Sequence, residues 1–241
     1  MPVGVLADGL AVLLGGLAGG KLGNLLQEQM KQELTLIFGV VSIAMGISYV
    51  VRVNAMPAVV LAVILGLVLG RLAGLTRWIE LAVGMILRPM GGLSQGGKDA
   101  LTPEKFMEQF ISAAVLFCAS GTGIFGALES GMSGDHTVLL AKALLDIFTA
   151  AIFAASLGCA ICAVCIPQMA LMLALFYSAA LILPHTTELM RADFMACGGI
   201  LMLATGFRIA GIKSFPIADM LPAMILIMPL SSLWSRFADL F

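Results

Sequence analysis

What this sequence has least of is charge. Only 11% of the 241 residues are Asp, Glu, Lys or Arg, whereas 61% are hydrophobic and the mean hydropathy is +1.07. A soluble domain carries about a quarter charged residues, so too few are present here to clothe a core of this size in water. Thirteen basic residues against fourteen acidic ones leave a net charge of −1, and no basic stripe exists for nucleic acid. The five cysteines are not spaced as a secreted disulfide framework. No Lys or Arg precedes the apolar run from Val3 to Gly20, so that run does not read as a cleaved signal peptide. No P-loop, dinucleotide fingerprint, zinc-protease motif or Ser-His-Asp order is found, and enzyme activity and a cofactor are not expected.

Long apolar runs are present in abundance. A helix crosses a hydrocarbon core of about 30 Å with about 20 apolar residues. Candidate spans are 3–22, 34–51, 55–75, 106–128, 138–162, 166–184, 194–212 and 216–235, which predicts an all-α polytopic membrane protein with a single transmembrane domain, 1–241. Between Lys142 and His185 the only charged residue is Asp146. A hairpin near Pro167 gives eight spans, and a re-entrant half gives seven. The one long connection, 76–105, begins with an amphipathic piece (Trp78, Ile79, Leu81, Ala82, Met85, Ile86) between Arg77 and Arg88, suited to a short interfacial helix. Gly91, Gly92, Gly96 and Gly97 then read as a loop. With the N-terminus outside, Lys21, Lys31, Arg71, Arg77, Arg88, Lys98, Lys105, Arg208 and Lys213 fall on the cytoplasmic side. Arg52, Lys142, Arg191 and Arg236 fall outside, a split that favours this orientation.

Two internal echoes occur. The stretch Gly39 to Pro57 is similar in pattern to Gly199 to Pro216, with Gly46 matching Gly206, and eight spans would make these an inverted repeat of the kind found in transporters. Asp8 and Gly20 are spaced like Asp146 and Gly158, which implies the opposite symmetry. Small residues at Gly15, Gly16, Gly19 and Gly20 let another backbone approach closely, either within the chain or across a homodimer seam; Gly66, Gly70 and Gly74 repeat the spacing.

Polar residues inside spans are the functional lead, because an ionisable group at a helix centre costs about 2.5–3.5 kcal/mol on insertion scales. Asp146 lies deep in its span with Lys142 one turn before it: either a pair that neutralises itself, or a site. Asp8, nearer the outer interface, is placed either to reach headgroups or to line a central ion or solute site with the polar groups of the fourth and fifth spans. Ser120-Gly121-Thr122-Gly123 lowers helix propensity in the middle of the fourth span. It reads either as an opened helix that frees backbone groups for an ion or small solute, or as a packing notch with hydroxyls bonded back. Thr205-Gly206 is a weaker version. Cys159, Cys162 and Cys165 lack a fourth ligand, and His136 and His185 sit at loop edges, so no metal site is expected.

Phe117-Cys118-Ala119-Ser120-Gly121 with Gly134-Asp135, Lys142 and Asp146 through Ala154 to Gly158, and Gly198-Gly199 resemble the bacterial domain-of-unknown-function 554 family of membrane proteins, over nearly the whole chain. The sequence departs from that pattern at Glu129-Ser130-Gly131 and at Ile147. The resemblance implies a multi-pass protein of the bacterial inner membrane and transfers no activity. Two function classes follow from the residues: a small secondary transporter or channel for an ion or small solute, or a membrane scaffold whose polar groups only hold helices together. The expected partners are the lipid bilayer, a small solute or ion, and a second copy of the chain.

Overall fold

The computed structural model describes residues 1–22, 28–87, 106, 110, 113–114, 116–118, 120–182, 184 and 186–238. Its helices are α1 (Val3–Leu22), α2 (Glu28–Val50), α3 (Met56–Ala73), α4 (Leu75–Leu87), α5 (Gly121–Ser133), α6 (Thr137–Leu157), α7 (Cys165–Ile182), α8 (Glu188–Ile209), α9 (Ile217–Met220) and α10 (Pro222–Ala238). A 3-10 segment, Gly158–Val164, joins α6 to α7.

Among the described residues, seven helical stretches are long and apolar enough to cross a membrane: 3–21, 32–50, 56–73, 137–155, 158–179, 188–209 and 217–237. These are seven of the eight expected spans. The remaining one is broken. Described residues between 106 and 118 are helical, Ser120 is extended (φ −71°, ψ 126°), and α5 starts anew at Gly121. At 1.5 Å per residue α5 alone reaches about 20 Å, too short to cross. Helix directions follow from the close contacts. α6 runs parallel to α1, with Gly15 against Ile147 and Gly19 against Ala151. α5 runs antiparallel to α6, since Gly123 meets Lys142 and Gly126 meets Leu139. Asp193, near the start of α8, accepts from the backbone N–H groups of Asn54 and Ala55 at the start of α3, so those two helices begin at one end. These directions place α1, α3, α6 and α8 parallel to one another, as alternation in the eight-span reading requires; seven spans are found among the described residues.

The inverted repeat is visible in these packings. The starts of α7, α8 and α9 follow those of α1, α2 and α3 by 162, 160 and 161 residues. Each helix packs antiparallel on its counterpart. Gly9, Gly16 and Gly20 of α1 lie against Met169, Cys162 and Cys159; Gly39 and Gly46 of α2 against Ala210 and Leu203; Gly66 and Gly70 of α3 against Ala223 and Asp219. Ser42 donates to the Met202 carbonyl at 3.0 Å and Gln168 donates to Asp8 at 2.6 Å; both contacts join residues 160 apart, as expected near a pseudo-twofold axis. The second echo has a different origin: Asp8…Gly20 and Asp146…Gly158 belong to helices that run side by side in the same direction, so they are no inverted pair.

Two further expectations, the place of the hairpin turn and the setting of Lys142, are corrected. The hairpin turns at Gly158, whose φ of +64° suits a residue without Cβ, and not near Pro167. The first glycine ridge packs within the chain, the first of its two readings: Gly15 and Gly19 seat on α6, while Gly16 and Gly20 seat on the 3-10 segment. Lys142 is buried within α6 rather than at the outer surface, which turns the charge split from nine to four into nine to three.

Gly74, in a left-handed conformation (φ 63°), ends α3 and redirects the chain into α4. The amphipathic α4 exposes Trp78, Leu81 and Met85, in keeping with an interfacial helix, and is pinned where the Thr76 N–H and hydroxyl donate to Asp219 at 3.0 and 2.9 Å. Gly91, Gly92, Gly96 and Gly97 lie outside the described residues.

Candidate functional site

The site grows from α6. One turn of helix separates Lys142 from Asp146, which puts both side chains on the face that α1 covers. α1 can come that close because its contacts there are glycines, and it carries Asp8 to the same level. The returning α7 adds Gln168. All four side chains are buried: Asp8 and Gln168 at 0% exposure, Lys142 at 3% and Asp146 at 8%.

They form a closed ring of hydrogen bonds. The Lys142 ammonium donates to Asp8 Oδ2 at 3.0 Å and to Asp146 Oδ2. The Gln168 amide donates to the same two oxygens, at 2.6 and 3.1 Å. Both Oδ2 atoms thus have two donors each. Asp8 Oδ1 and Gln168 Oε1 are buried and have no hydrogen-bond partner among the described residues. Two carboxylates face one ammonium, so the ring carries one excess negative charge in its ionised form.

Beside the ring lies a cavity of about 30 Å³, between α2, the residues flanking the break, α6 and α8. Its polar lining is Ser42, Ser120, Thr122, Lys142, Asp146, Thr149 and Thr205. A space of about 10–15 Å³ admits one water, so this one accepts a water or an ion of similar size. The break in the helix shapes its wall. Ser120 caps the first turn of α5, its hydroxyl accepting from the Gly123 N–H at 3.4 Å, and the Gly121 N–H donates to the Thr205 hydroxyl at 3.3 Å. Thr205 also donates back to the Leu201 carbonyl of its own helix.

Of the residues singled out in the sequence, Asp146, Lys142, Ser120 and Thr122 converge on this cavity. Gly121 and Gly123 shape the first turn of α5 against Leu201 and against Met172 and Lys142, without lining it. Asp8 does not reach headgroups; it is enclosed and bonded to Lys142 and Gln168, because the α1–α6 contact is close enough to exclude everything else. Sequence reasoning passed over Gln168, Ser42 and Thr149. A signal for the first was available: Gln168 is the one amide side chain between Lys142 and His185, and stands 160 residues from Asp8. Elsewhere, His136 shares a hydrogen bond with Ser130, Cys159, Cys162 and Cys165 are free thiols, and His185 lies outside the described residues.

Of the three other buried carboxylates among the described residues, Glu129, Asp193 and Asp219, the last two serve the frame. Asp193 accepts from Asn54 N–H (2.8 Å), Ala55 N–H (2.6 Å) and the Ser231 hydroxyl (2.6 Å), and Asp219 holds Thr76 with Arg71 at 3.8 Å. Both are supplied with donors, whereas Asp8 has them on Oδ2 alone.

Seven long apolar helices among the described residues, with a charged ring enclosed between them, define a multi-pass helical membrane protein. The chain belongs to the family described as "Protein of unknown function (DUF554)", which it matches over residues 3–232. It is similar to "Uncharacterized protein YqgA" of Escherichia coli, with 46% identity over 98% of this chain and 99% of the relative. It is also similar to "Uncharacterized membrane protein YdfK" of Bacillus subtilis, with 22% identity over 92% of this chain and 93% of the relative. No solved structure matches the chain.

Proposed function

We propose that this protein is a small secondary transporter or channel of the bacterial inner membrane, with the cavity beside Asp146 as its central site. The observation that carries the reading is the coincidence of three features at one place: a helix interrupted at Ser120, a cavity of about 30 Å³ with hydroxyl lining, and a ring with one carboxylate more than its ammonium can neutralise. A purely structural polar cluster gains nothing from an unbalanced charge, since a buried ion costs several kcal/mol that only full pairing offsets. An interrupted helix at mid-membrane is tolerated where it borders a cavity. The cavity's size favours an ion, and the excess negative charge favours a cation. The inverted repeat supports the same reading, since many transporters are built on that plan. The proposed setting has the N-terminus outside the cytoplasm, and its partners are the bilayer and the transported ion. Catalysis of a covalent step is no part of it.

A second reading, a membrane scaffold, is favoured by one observation: Lys142 already engages both carboxylates, as a helix clamp would. Flux measurements in proteoliposomes with Na⁺, K⁺ and H⁺ as probes separate the two. Asp146→Asn keeps the shape and removes the charge, and on the transport reading it abolishes flux while the folded protein persists in detergent. Wild-type protein with no flux of any of the three ions, or an Asp146→Asn variant that loses stability and not flux, supports the scaffold instead.

A further inference from the structure

We propose that the ion bound by this centre is a proton, and that it is carried on the carboxyl of Asp8 rather than that of Asp146. This rests on the transport reading above and specifies its ion. The starting point is the pair of orphaned acceptors. Asp8 Oδ1 and Gln168 Oε1 are both enclosed, both acceptors, and neither has a donor among the described residues. Turning the Gln168 amide over does not help, because its oxygen would then face the carboxylate oxygens that now lie 2.6 and 3.1 Å from its nitrogen. What the ring lacks is one hydrogen. A proton on Asp8 Oδ1 supplies it, turns one orphan into a donor, and removes the excess negative charge in the same step. The balance is simple: one H⁺ from the aqueous phase adds to the Asp8 carboxylate and the ring passes from −1 to neutral; its loss restores −1. Lys142 stays an ammonium throughout.

A metal cation fits less well. Sodium or potassium would need several oxygens from this ring, and both Oδ2 atoms are taken up by donors. The Lys142 ammonium, 3.0 Å from Asp8, would also repel it. A proton needs one lone pair only.

Asp8 is preferred over Asp146 because of what surrounds each. Asp146 borders the cavity, where the hydroxyls of Ser120, Thr122 and Thr149 and any water can solvate an anion. Asp8 does not border it. Its neighbours on the same face of α1 are Val5 and Val12, both fully buried. The titratable and charged groups facing this stretch of α1 are few. α6 presents Lys142 and Asp146, with His136 at its outer end against Gly4. The 3-10 segment presents Cys162, whose thiol lies on the Leu13 carbonyl. Cys118, before the break, is within electrostatic reach of Lys142 and Asp146. Within α7, Gln168 is the polar group that faces it, and it does not titrate.

The test is infrared difference spectroscopy on the full-length protein in lipid nanodiscs, titrated with acid and base and separately with NaCl. The expected result is a carboxylic-acid C=O band at neutral pH that shifts in D₂O, ignores Na⁺, persists in Asp146→Asn and is absent in Asp8→Asn. Gln168→Leu covers the case in which Asp8→Asn does not fold: removing the amide donor that now bonds Asp8 Oδ2, the carbonyl oxygen of the acid, should move the band to higher frequency. A wild-type protein without the band overturns the proposal. So does a band that disappears in Asp146→Asn but survives Asp8→Asn, a spectral change driven by Na⁺ at fixed pH, or a band unmoved in Gln168→Leu. The measurement needs no flux, so the two proposals fail separately. An Asp8 band in a protein that transports nothing sinks the transport reading alone, whereas flux without the band sinks the proton on Asp8 alone.

Discussion

Replacing Lys142 with Met leaves the shape of the side chain nearly intact and removes the only positive charge of the ring. What remains is two carboxylates, Asp8 at 0% and Asp146 at 11% side-chain exposure, whose Oδ2 atoms each lose one of two donors. Removing one partner of a buried ion pair costs about 3–5 kcal/mol, chiefly because the other charge is left uncompensated. Lys142→Met should therefore destabilise the protein by about 3–5 kcal/mol, read as unfolding in mixed micelles at neutral pH. The same reasoning requires the loss to be recoverable. Adding Asp146→Asn to Lys142→Met removes one of the carboxyl groups left without the ammonium, and adding Asp8→Asn removes the other. Neutral replacements of a whole buried ion network are often close to neutral in stability, so the triple variant should recover most of the loss, with a coupling of about 0.5–3 kcal/mol between Lys142 and each aspartate. If Lys142→Met unfolds like wild type, or if the losses from Lys142→Met and Asp146→Asn simply add, the ring is not an electrostatic unit and the charge count made from it is void.

Gly19→Leu places a side chain where a Cβ alone would sit 2.1 Å from the Ala151 carbonyl oxygen; it should destabilise the folded monomer by more than the ~1–3 kcal/mol typical of overpacking, and a variant that folds normally but changes oligomeric mass would favour the seam reading of that ridge. Asp193→Ala strands two N–H groups at the start of α3 and should cost about 2–4 kcal/mol in the same unfolding assay, with Asp193→Asn recovering part of it; equal stability of Asp193→Ala and wild type would refute the capping role. Asp135→Cys and Lys213→Cys lie in exposed loops at opposite ends of the bundle. In intact cells an impermeant thiol reagent should modify the first and not the second, above the background of the native cysteines, and the reverse pattern would invert the orientation.

The multi-span helical class was within reach of the sequence because it depends on quantities that add along the chain: apolar length, charge placement and loop polarity. The break at Ser120 was also legible, since Ser-Gly-Thr-Gly is a local weakness whatever surrounds it. Residues whose roles depend on a distant partner were harder to read. Asp8 looks like an interfacial residue when only its distance from the end of α1 is counted; its burial follows from the glycine contacts that bring α6 alongside. Gln168 carries no charge and so gave no alarm, although its amide is what ties the two aspartates together. Asp193 and Asp219 were missed for a similar reason, because each serves a helix start more than a hundred residues away. The turn at Gly158 was misplaced since Pro167 is the more visible punctuation, yet a proline is well tolerated in the first turn of a helix, where α7 puts it.

The repeat explains why the ring contains an amide at all. Asp8 and Gln168 are mates under the inverted symmetry, 160 residues apart and in direct contact where α1 meets α7. A symmetric pair at that position would bring either two carboxylates or two amides together at 2.6 Å. Two carboxylates so close in a dry interior cannot both be ionised, and with Asp146 they would make three acids around one lysine. Two amides would leave Lys142 with Asp146 alone, a balanced pair without any excess charge to bind an ion. The carboxylate in one half and the amide in the other give the intermediate case, in which one acid is left over and a donor holds it in place. Symmetry of the backbone puts the two positions together, and the difference in side-chain chemistry between the halves gives the contact its charge. Gln168→Glu tests this directly. It restores the symmetric acid pair, and should fold at neutral pH only by taking up a further proton, so its stability should fall more steeply than that of the wild type as pH rises. A Gln168→Glu variant as stable as wild type across neutral and alkaline pH would show that the amide has no such part.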